Sequence, residues 1–337
     1  MAGVTLVTVD PTATRQGLLR TMLAALHDRA IANGQPVAGL VPSEWAIYGR
    51  FGYGPATWAD TMSIDASRVS WLADTPTSNE RPRPIDGAEA VALAARLHRD
   101  VALRTPGDIV RSDAYWDRLA TNTGLVSAAL GLTDHPEVAL RHIAVADRGF
   151  ASYQLNVAWT PQHTANSQIT VIDFLASDSG TAAALWRHLL SLDLVVTAHV
   201  QRVADDDPLA WWLRDPRLLS RRRHDGLWLR PLDPPTLLES RRWSGTGSLV
   251  LQVHDAHGYA DGTYHLHVDD GIASCTPTNA EPDLIMDVAA LGAGFLGGTS
   301  MRELSVSGWV STPEPRAALL WDQLAASAAA PYLSTSF

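Results

Sequence analysis

Small polar residues alternate with Val4, Leu6 and the pair Val7 and Val9 in AGVTLVTVDP (2–11), a strand pattern, and the period then changes to that of a helix. In TATRQGLLRTMLAALHDRAIANG, Leu18, Leu19, Met22, Leu23 and Leu26 recur at helical spacing and Asn33-Gly34 supplies a stop. PVAGLVP (36–42) reads as a short buried strand, and a further strand is expected near TWADTMSID. Between these two strands lies SEWAIYGRFGYGPAT (43–57), a cluster of aromatic residues spaced by glycines. The first unit therefore runs strand, turn, helix, strand, aromatic stretch, strand.

Residues 74–86, DTPTSNERPRPID, combine prolines with polar residues and read as an exposed linker at a domain boundary. Beyond it GAEAVALAARLHRDVAL and SDAYWDRLA have helical spacing, and HIAVADRGFASYQLNVAW reads as a hairpin. QITVIDFLA then leads through Ser177-Asp178-Ser179-Gly180 into the helix TAAALWRHLLSL and the strand DLVVTAHV. This repeats the strand, capped turn, helix, strand order of the first unit. From DGLWLRPLDPPTLLESRRW onward, short alternating strands with Asp-Gly turns precede a helical AALLWDQLAASAAA and the tail PYLSTSF, an α+β third unit.

Composition removes several classes of function. A hydrophobic share of 46% with 18% charged residues describes a folded globular chain, and 337 residues exceed one typical domain. The formal net charge of −10 argues against a phosphate backbone as main partner. Cys275 is the single cysteine, so no internal disulfide framework exists. No apolar stretch is long enough to span a bilayer, which points to a cytoplasmic protein.

The turn at 10–20, DPTATRQGLLR, carries candidate chemistry. With Gly17 where a helix begins, free backbone N–H groups and the positive end of the helix dipole can face a pyrophosphate, and Arg15 and Arg20 add charge. Any strand-to-helix turn can contain Gly and Arg, so its neighbours must decide.

Those neighbours resemble a known family. The run from VTVDPTATRQGLLR to SEWAIYGRFGYGPAT is similar to the enhanced intracellular survival (Eis) family of GCN5-related N-acetyltransferases (GNAT), which acetylate amines with acetyl-CoA. The SE..IYGRFGYGPAT block is highly specific, and weaker similarity runs on through DGLWLR and CTPTNAEPDLIMD to the terminal Phe337. The resemblance implies an α+β chain in three parts: 1–73 as the C-terminal half of a first GNAT acetyltransferase domain, 74–230 as a second GNAT-like domain without its own active site, and 231–337 as a sterol-carrier-like (SCP2-like) domain. It places Met1 at the family's fourth strand, so that the opening strands and first two helices would be missing. The first strand is then expected at a sheet edge or beside another chain.

The same resemblance implies the site. The backbone of Val7, Thr8 and Val9 would hold the acetyl-pantetheine arm, and Arg15, Gln16, Gly17, Leu18, Leu19 and Arg20 the pyrophosphate. Ser43 and Glu44 would line the cofactor, Tyr48 would protonate the departing thiolate, and the terminal carboxylate of Phe337 would accept the proton of the attacking amine. The glycines would let the aromatic stretch pack closely and set one phenol at the reaction centre. The acceptor would be an aminoglycoside-like small molecule or lysine, no metal would be needed, and the assembly would be a homo-oligomer, a hexamer in the family. The chain departs from the family in its arginine-poorer cofactor turn, with Thr14 and Gln16 beside Arg15, and in Ser336, where an acidic residue can stand.

The chemistry fits such roles, since an amine attacking a thioester must lose a proton and the leaving sulfur can gain one. Backbone N–H groups near the thioester oxygen would stabilise the tetrahedral intermediate. Phe51 and Tyr53 read as core packing, and Cys275 as an inert thiol. His254, Asp255, His257, His265 and His267 fall in a hairpin whose alternating histidines share a strand face, not a metal site. The runs Asp205 to Asp207, Arg221 to Arg223 and Arg241 to Arg242 read as solvated charge. Two alternatives to the enzyme stand beside it: an inactive truncated remnant, and an apolar-ligand carrier built on segment 231–337.

Overall fold

The computed structural model describes residues 1–116, 140–335 and 337. Its principal elements begin with β1 (Ala2–Gly3), α1 (Leu18–Ala32), β2 (Val37–Leu40), α2 (Trp45–Tyr48), β3 (Gly54–Pro55) and β4 (Trp58–Asp65). They continue with β5 (Arg83–Ile85), α3 (Gly87–Ala102), β6 (Leu140–Val145), β7 (Gly149–Asn156), β8 (Ser167–Ala176), α4 (Ser179–Leu190), β9 (Val195–Val203) and β10 (Leu219–Asp225). The last stretch holds β11 (Trp228–Pro231), β12 (Gly247–His254), β13 (Gly262–Asp269), β14 (Ile272–Pro277), β15 (Leu284–Asp287), α5 (Val288–Gly294), β16 (Val310–Ser311) and α6 (Pro315–Ala325). Of the helix expected over SDAYWDRLA, residues 117–120 lie outside the described residues.

Two compact units result. Unit 1 takes 1–58, 225–333 and 337, and unit 2 takes the described residues of 59–224 and 334–336. Unit 1 contains a four-stranded sheet ordered β1-β2-β11-β3, with β1 and β2 parallel on either side of α1 and β11 antiparallel to β2. β11 comes from the far end of the sequence, and no local pattern in the first 66 residues announces this partner. Helix α5 lies against β3 and β11. That approach explains Gly54, where a Cβ would stand 1.9 Å from the carbonyl oxygen of Ala289.

The same unit holds a five-stranded sheet ordered β14-β13-β12-β15-β16. Alternate residues of β12, Leu249, Leu251 and Val253, are buried, as a half-buried strand requires. Trp321 of α6 is fully buried and meets Trp243 edge-on at 5.4 Å. His265 and His267 share the exposed face of β13, and His265 Nε2 shares a hydrogen bond of 2.6 Å with Ser248 Oγ.

Unit 2 is built on a seven-stranded sheet ordered β10-β4-β9-β8-β7-β6-β5, in which β8 and β9 are parallel and α4 connects them. Its two faces follow the period of a strand. Ile143 and Val145 of β6 join the cluster that holds Ala183, Leu185, Trp186 and Leu189 of α4. Ala144, between them, joins the cluster of Ala90, Leu93, Ala94 and Leu97 of α3. Burying a leucine side chain such as Leu97 contributes about 1.5–3 kcal/mol, so these two stripes carry much of the unit's cohesion.

Two expectations change. The strand read over Val4 to Val9 shrinks to β1, because the parallel ladder with β2 ends at Val4, whose N–H donates to the Gly39 carbonyl, and Leu6 turns away at φ 54°. β1 is an edge strand, as expected. The charges read as solvated are also largely engaged. Arg221 pairs with Asp60 and Asp207, and Arg241 donates to the carbonyls of Phe295 and Ala325.

Candidate active site

The connection from β1 to α1 has two parts. Asp10 caps a short 3-10 turn, Pro11–Ala13, accepting from Thr12 N–H at 2.8 Å and from its hydroxyl at 2.5 Å. Its carboxylate is thus engaged within its own turn, away from the helix that follows. Arg15 then adopts φ 63°, and Gly17 at φ 79° is the N-cap of α1 with no side-chain capping bond. The left-handed conformation at Arg15 is costly for a residue with a Cβ, and such strain collects where function fixes the backbone.

The N–H of Thr21 is the first to find a helical acceptor, the Gly17 carbonyl. The donors of Leu18, Leu19 and Arg20 therefore face out of the helix end, where the dipole favours an anion. Arg15, Gln16, Gly17, Leu18 and Arg20 are exposed, Leu19 is half-buried, and no heavy atom comes within 4 Å of a Cβ placed on Gly17. Open space, bare donors and two guanidinium-bearing residues fit a pyrophosphate.

Thr5 to Val9 follow the break in the ladder, and among the described residues no backbone–backbone hydrogen bond joins them to β2. Their peptide groups are available to a ligand that adds to the strand, as the pantetheine arm would. Val7 and Leu19 both pack on one apolar cluster with Val4, Leu23, Tyr48, Phe51 and Tyr53. The predicted arm-binding segment, cofactor turn and phenol thus meet on a single core.

The two tyrosines of the aromatic block differ. Tyr53 is fully buried, and its hydroxyl shares a 2.9 Å hydrogen bond with His27 Nε2. Burial raises the Tyr53 phenol far above its ordinary value. Tyr48, at the end of α2, has a buried ring set edge-on to Tyr53 at 6.1 Å, yet its hydroxyl makes no hydrogen bond among the described residues. Burial pushes its pKa upward as well, so it stays protonated at neutral pH. A phenol held by its ring with a free hydroxyl is a competent proton donor.

Ser43 and Glu44 are exposed just before α2. Phe337 belongs to unit 1, where its ring lies 3.5 Å from the position a Cβ on Gly3 would take.

Sequence reasoning passed over a buried clamp. Arg230 is fully buried, and one of its terminal nitrogens reaches both carboxylate oxygens of Asp255 at 2.8 Å, while Nε donates to the Phe51 carbonyl. The clamp thereby fixes the end of the aromatic block. Burial and then Arg230 lower the pKa of the adjoining His27 to about 4, which keeps its imidazole neutral. A single arginine in the apolar run GLWLRPL was the available signal.

Comparison with known proteins gives the chain's relatives. Two acetyltransferase (GNAT) domain models match residues 1–56 and 107–232, and a sterol carrier protein domain model matches 234–334. The chain is 35% identical over 302 residues to an uncharacterized N-acetyltransferase of Streptomyces griseus, covering 88% of this chain and 72% of that protein. It is 35% identical over 328 residues to N-acetyltransferase Eis of Mycobacterium tuberculosis, covering 93% and 75%. The crystal structure of Eis1 from Mycobacterium abscessus superposes with a TM-score of 0.84 at 30% identity, over 99% of this chain and 83% of that one. A GCN5-related N-acetyltransferase from Anabaena variabilis shares the fold with a TM-score of 0.81 at 18% identity, over 99% and 81%.

Proposed function

Because the chain belongs to the enhanced intracellular survival (Eis) family of GCN5-related N-acetyltransferases, we propose that it transfers an acetyl group from acetyl-CoA to primary amines of aminoglycoside-like small molecules or of lysine. Acetyl-CoA supplies the activated thioester. The backbone of Val7, Thr8 and Val9 holds the acetyl-pantetheine arm, the segment Arg15 to Arg20 holds the pyrophosphate, and Ser43 and Glu44 line the same groove.

Tyr48 Oη donates a proton to the departing thiolate, and the terminal carboxylate of Phe337 removes one from the amine. A free α-carboxylate is a weak base, with a pKa of roughly 3.3–3.7, so it acts when partly desolvated or through one water. In this reading 1–73 is the acetyltransferase part, 74–230 a GNAT-like part without chemistry, and 231–337 the sterol-carrier-like part. By family resemblance the chain works in the cytoplasm as a homohexamer.

The observation that carries the reading is the pairing of a helix uncapped at Gly17, whose Leu19 and Leu23 pack on one core, with Tyr48 of the same core, whose hydroxyl has no hydrogen bond among the described residues. Release of the coenzyme A thiol, measured with acetyl-CoA and kanamycin A, tests it. Tyr48→Phe is expected to lower turnover about 100-fold, the usual scale for a positioned general acid, without altering the melting temperature. Coenzyme-insensitive folding with no thiol release would support the inactive remnant instead, and co-purifying lipid the carrier.

A further inference from the structure

Chain ends usually fray, but the end of this one is built into unit 2 at Ser334 and Thr335. Asp108 accepts from the Ser334 N–H at 3.0 Å and from its hydroxyl at 2.9 Å. His98 Nε2 lies 2.9 Å from the same hydroxyl oxygen. Arg111 donates from Nη2 to the Ser334 carbonyl at 3.2 Å and from Nε to the Thr335 hydroxyl at 3.0 Å, while Nη1 pairs with Asp173 at 2.5 Å.

The group is buried: His98 is 1% exposed, Arg111 6% and Thr335 5%, and the Asp108 side chain is fully covered. Since the Ser334 hydroxyl has one proton and a carboxylate to give it to, the imidazole is the donor in its own contact. Such a ring is neutral with the proton on Nε2, which agrees with a His98 pKa lowered to about 4 by burial and then by Arg111. The indole of Trp116 closes the group, edge-on to His98 and 5.0 Å beneath the Arg111 guanidinium.

Apolar residues would join α3 to the sheet at less cost, because each buried ion carries a desolvation penalty of several kcal/mol that only full pairing offsets. What these charges obtain in return is a tail whose backbone N–H, carbonyl and two hydroxyls are all held. We propose that Asp108, Arg111 and His98 are positioning residues, a socket that fixes the C-terminal tail and thereby the terminal carboxylate of Phe337. The catalytic consequence rests on the reading of that carboxylate as the base. Two residues beyond Thr335, Phe337 can move at most about 7 Å from the anchored point, whereas a free tail of seven residues could sweep about three times as far. A base must lie within hydrogen-bond reach of the amine, or one water from it, and the socket supplies that restriction.

Carboxypeptidase A, which removes C-terminal phenylalanine, reads the order of the tail directly when Phe337 release is followed by mass spectrometry. In the full chain, release is expected to be at least tenfold slower than from the free peptide PYLSTSF. The double variant Ser334→Ala, Thr335→Val removes both hydroxyls with little change of shape and is expected to restore most of that rate. Its kcat for acetylation of kanamycin A, counted per folded molecule, should fall about tenfold while the KM for acetyl-CoA stays within twofold; loss of folded enzyme alone would leave that kcat unchanged. Arg111→Met should behave alike, and if it fails to fold the double variant decides. Phe337 release unchanged in a folded double variant, or as fast in the parent as in the peptide, overturns the socket. Faster release with unchanged kcat overturns the carboxylate as base, and with it the positioning role, while the socket stands as a tail clamp.

Discussion

The turn entering α1 and the turn entering α4 occupy the same topological place, each between two parallel strands joined by a helix, yet they end differently. At α1 the N-cap is Gly17, which brings no side chain to the bare donors. At α4 the N-cap is Asp178, which accepts from the N–H and hydroxyl of Thr181, the hydroxyl of Ser177 and the guanidinium of Arg148. The first turn is open around Gly17, whereas a Cβ on Gly180 would meet the carbonyl oxygen of Thr77 at 2.5 Å. Helix-end donors can bind an external anion or an internal carboxylate, not both. One unit thus leaves its helix end open and the other fills it with its own side chain, as the proposal of a second GNAT-like part without chemistry requires.

Giving α1 the carboxylate that α4 has is the sharpest way to break this comparison. Gly17→Asp places a negative charge where the pyrophosphate would lie. With each charge-assisted hydrogen bond contributing about 1.5–3 kcal/mol, affinity for coenzyme A is expected to fall about 100-fold. The strain of a side chain at φ 79° costs the fold roughly 1 kcal/mol, which does not unfold it. Titration calorimetry with coenzyme A, and with pantetheine as the phosphate-free control, reads the result. Equal affinity in parent and variant would remove the turn from the site.

Arg15→Ala probes the same turn more gently. An exposed guanidinium near a pyrophosphate contributes on the order of 1 kcal/mol, so coenzyme A should bind about fivefold more weakly, and the gap should narrow in 0.5 M salt. A gap that persists at high salt would mean that Arg15 acts through its left-handed backbone and not its charge.

How much of this was legible in the sequence depended on the range of the interaction. The βαβ order of both units, the stop at Asn33-Gly34 and the Asp178 cap are written within a few residues, and periodicity found them. The aromatic block was legible as a block, and the family resemblance gave Tyr48 to chemistry and Tyr53 to packing, but spacing alone did not separate them. Tyr48 and Tyr53 look alike in sequence, and only His27, 26 positions from Tyr53, occupies one hydroxyl and leaves the other free. The pairing of β11 with β2, the Arg230–Asp255 clamp and the binding of Ser334 by Asp108 all join residues whose separation no local pattern encodes. The strand read through Val9 failed for a related reason: its alternation is real, but the ladder ends at Val4 and Leu6 then changes hand.

The smallest expected effect tests the closed turn. Burial raises the Asp178 pKa, but the Thr181 N–H and hydroxyl, the Ser177 hydroxyl and Arg148 outweigh it, and the net value is about 2. Because this lies below the unfolded value of roughly 3.9, the carboxylate's contribution is complete above about pH 5 and disappears as the pH falls through 4 toward 2. The side chain is 36% exposed, so solvent screens part of that gain, and the capping bond sets the scale at about 1 kcal/mol. Asp178→Asn keeps the shape and removes the charge. Its urea unfolding free energy should lie about 1 kcal/mol below the parent's at pH 6 and converge with it near pH 2, with coenzyme A affinity unchanged at pH 7. A gap of equal size at both pH values would assign the cap's contribution to shape, and the charge of Asp178 would no longer explain why this helix end is closed to an anion.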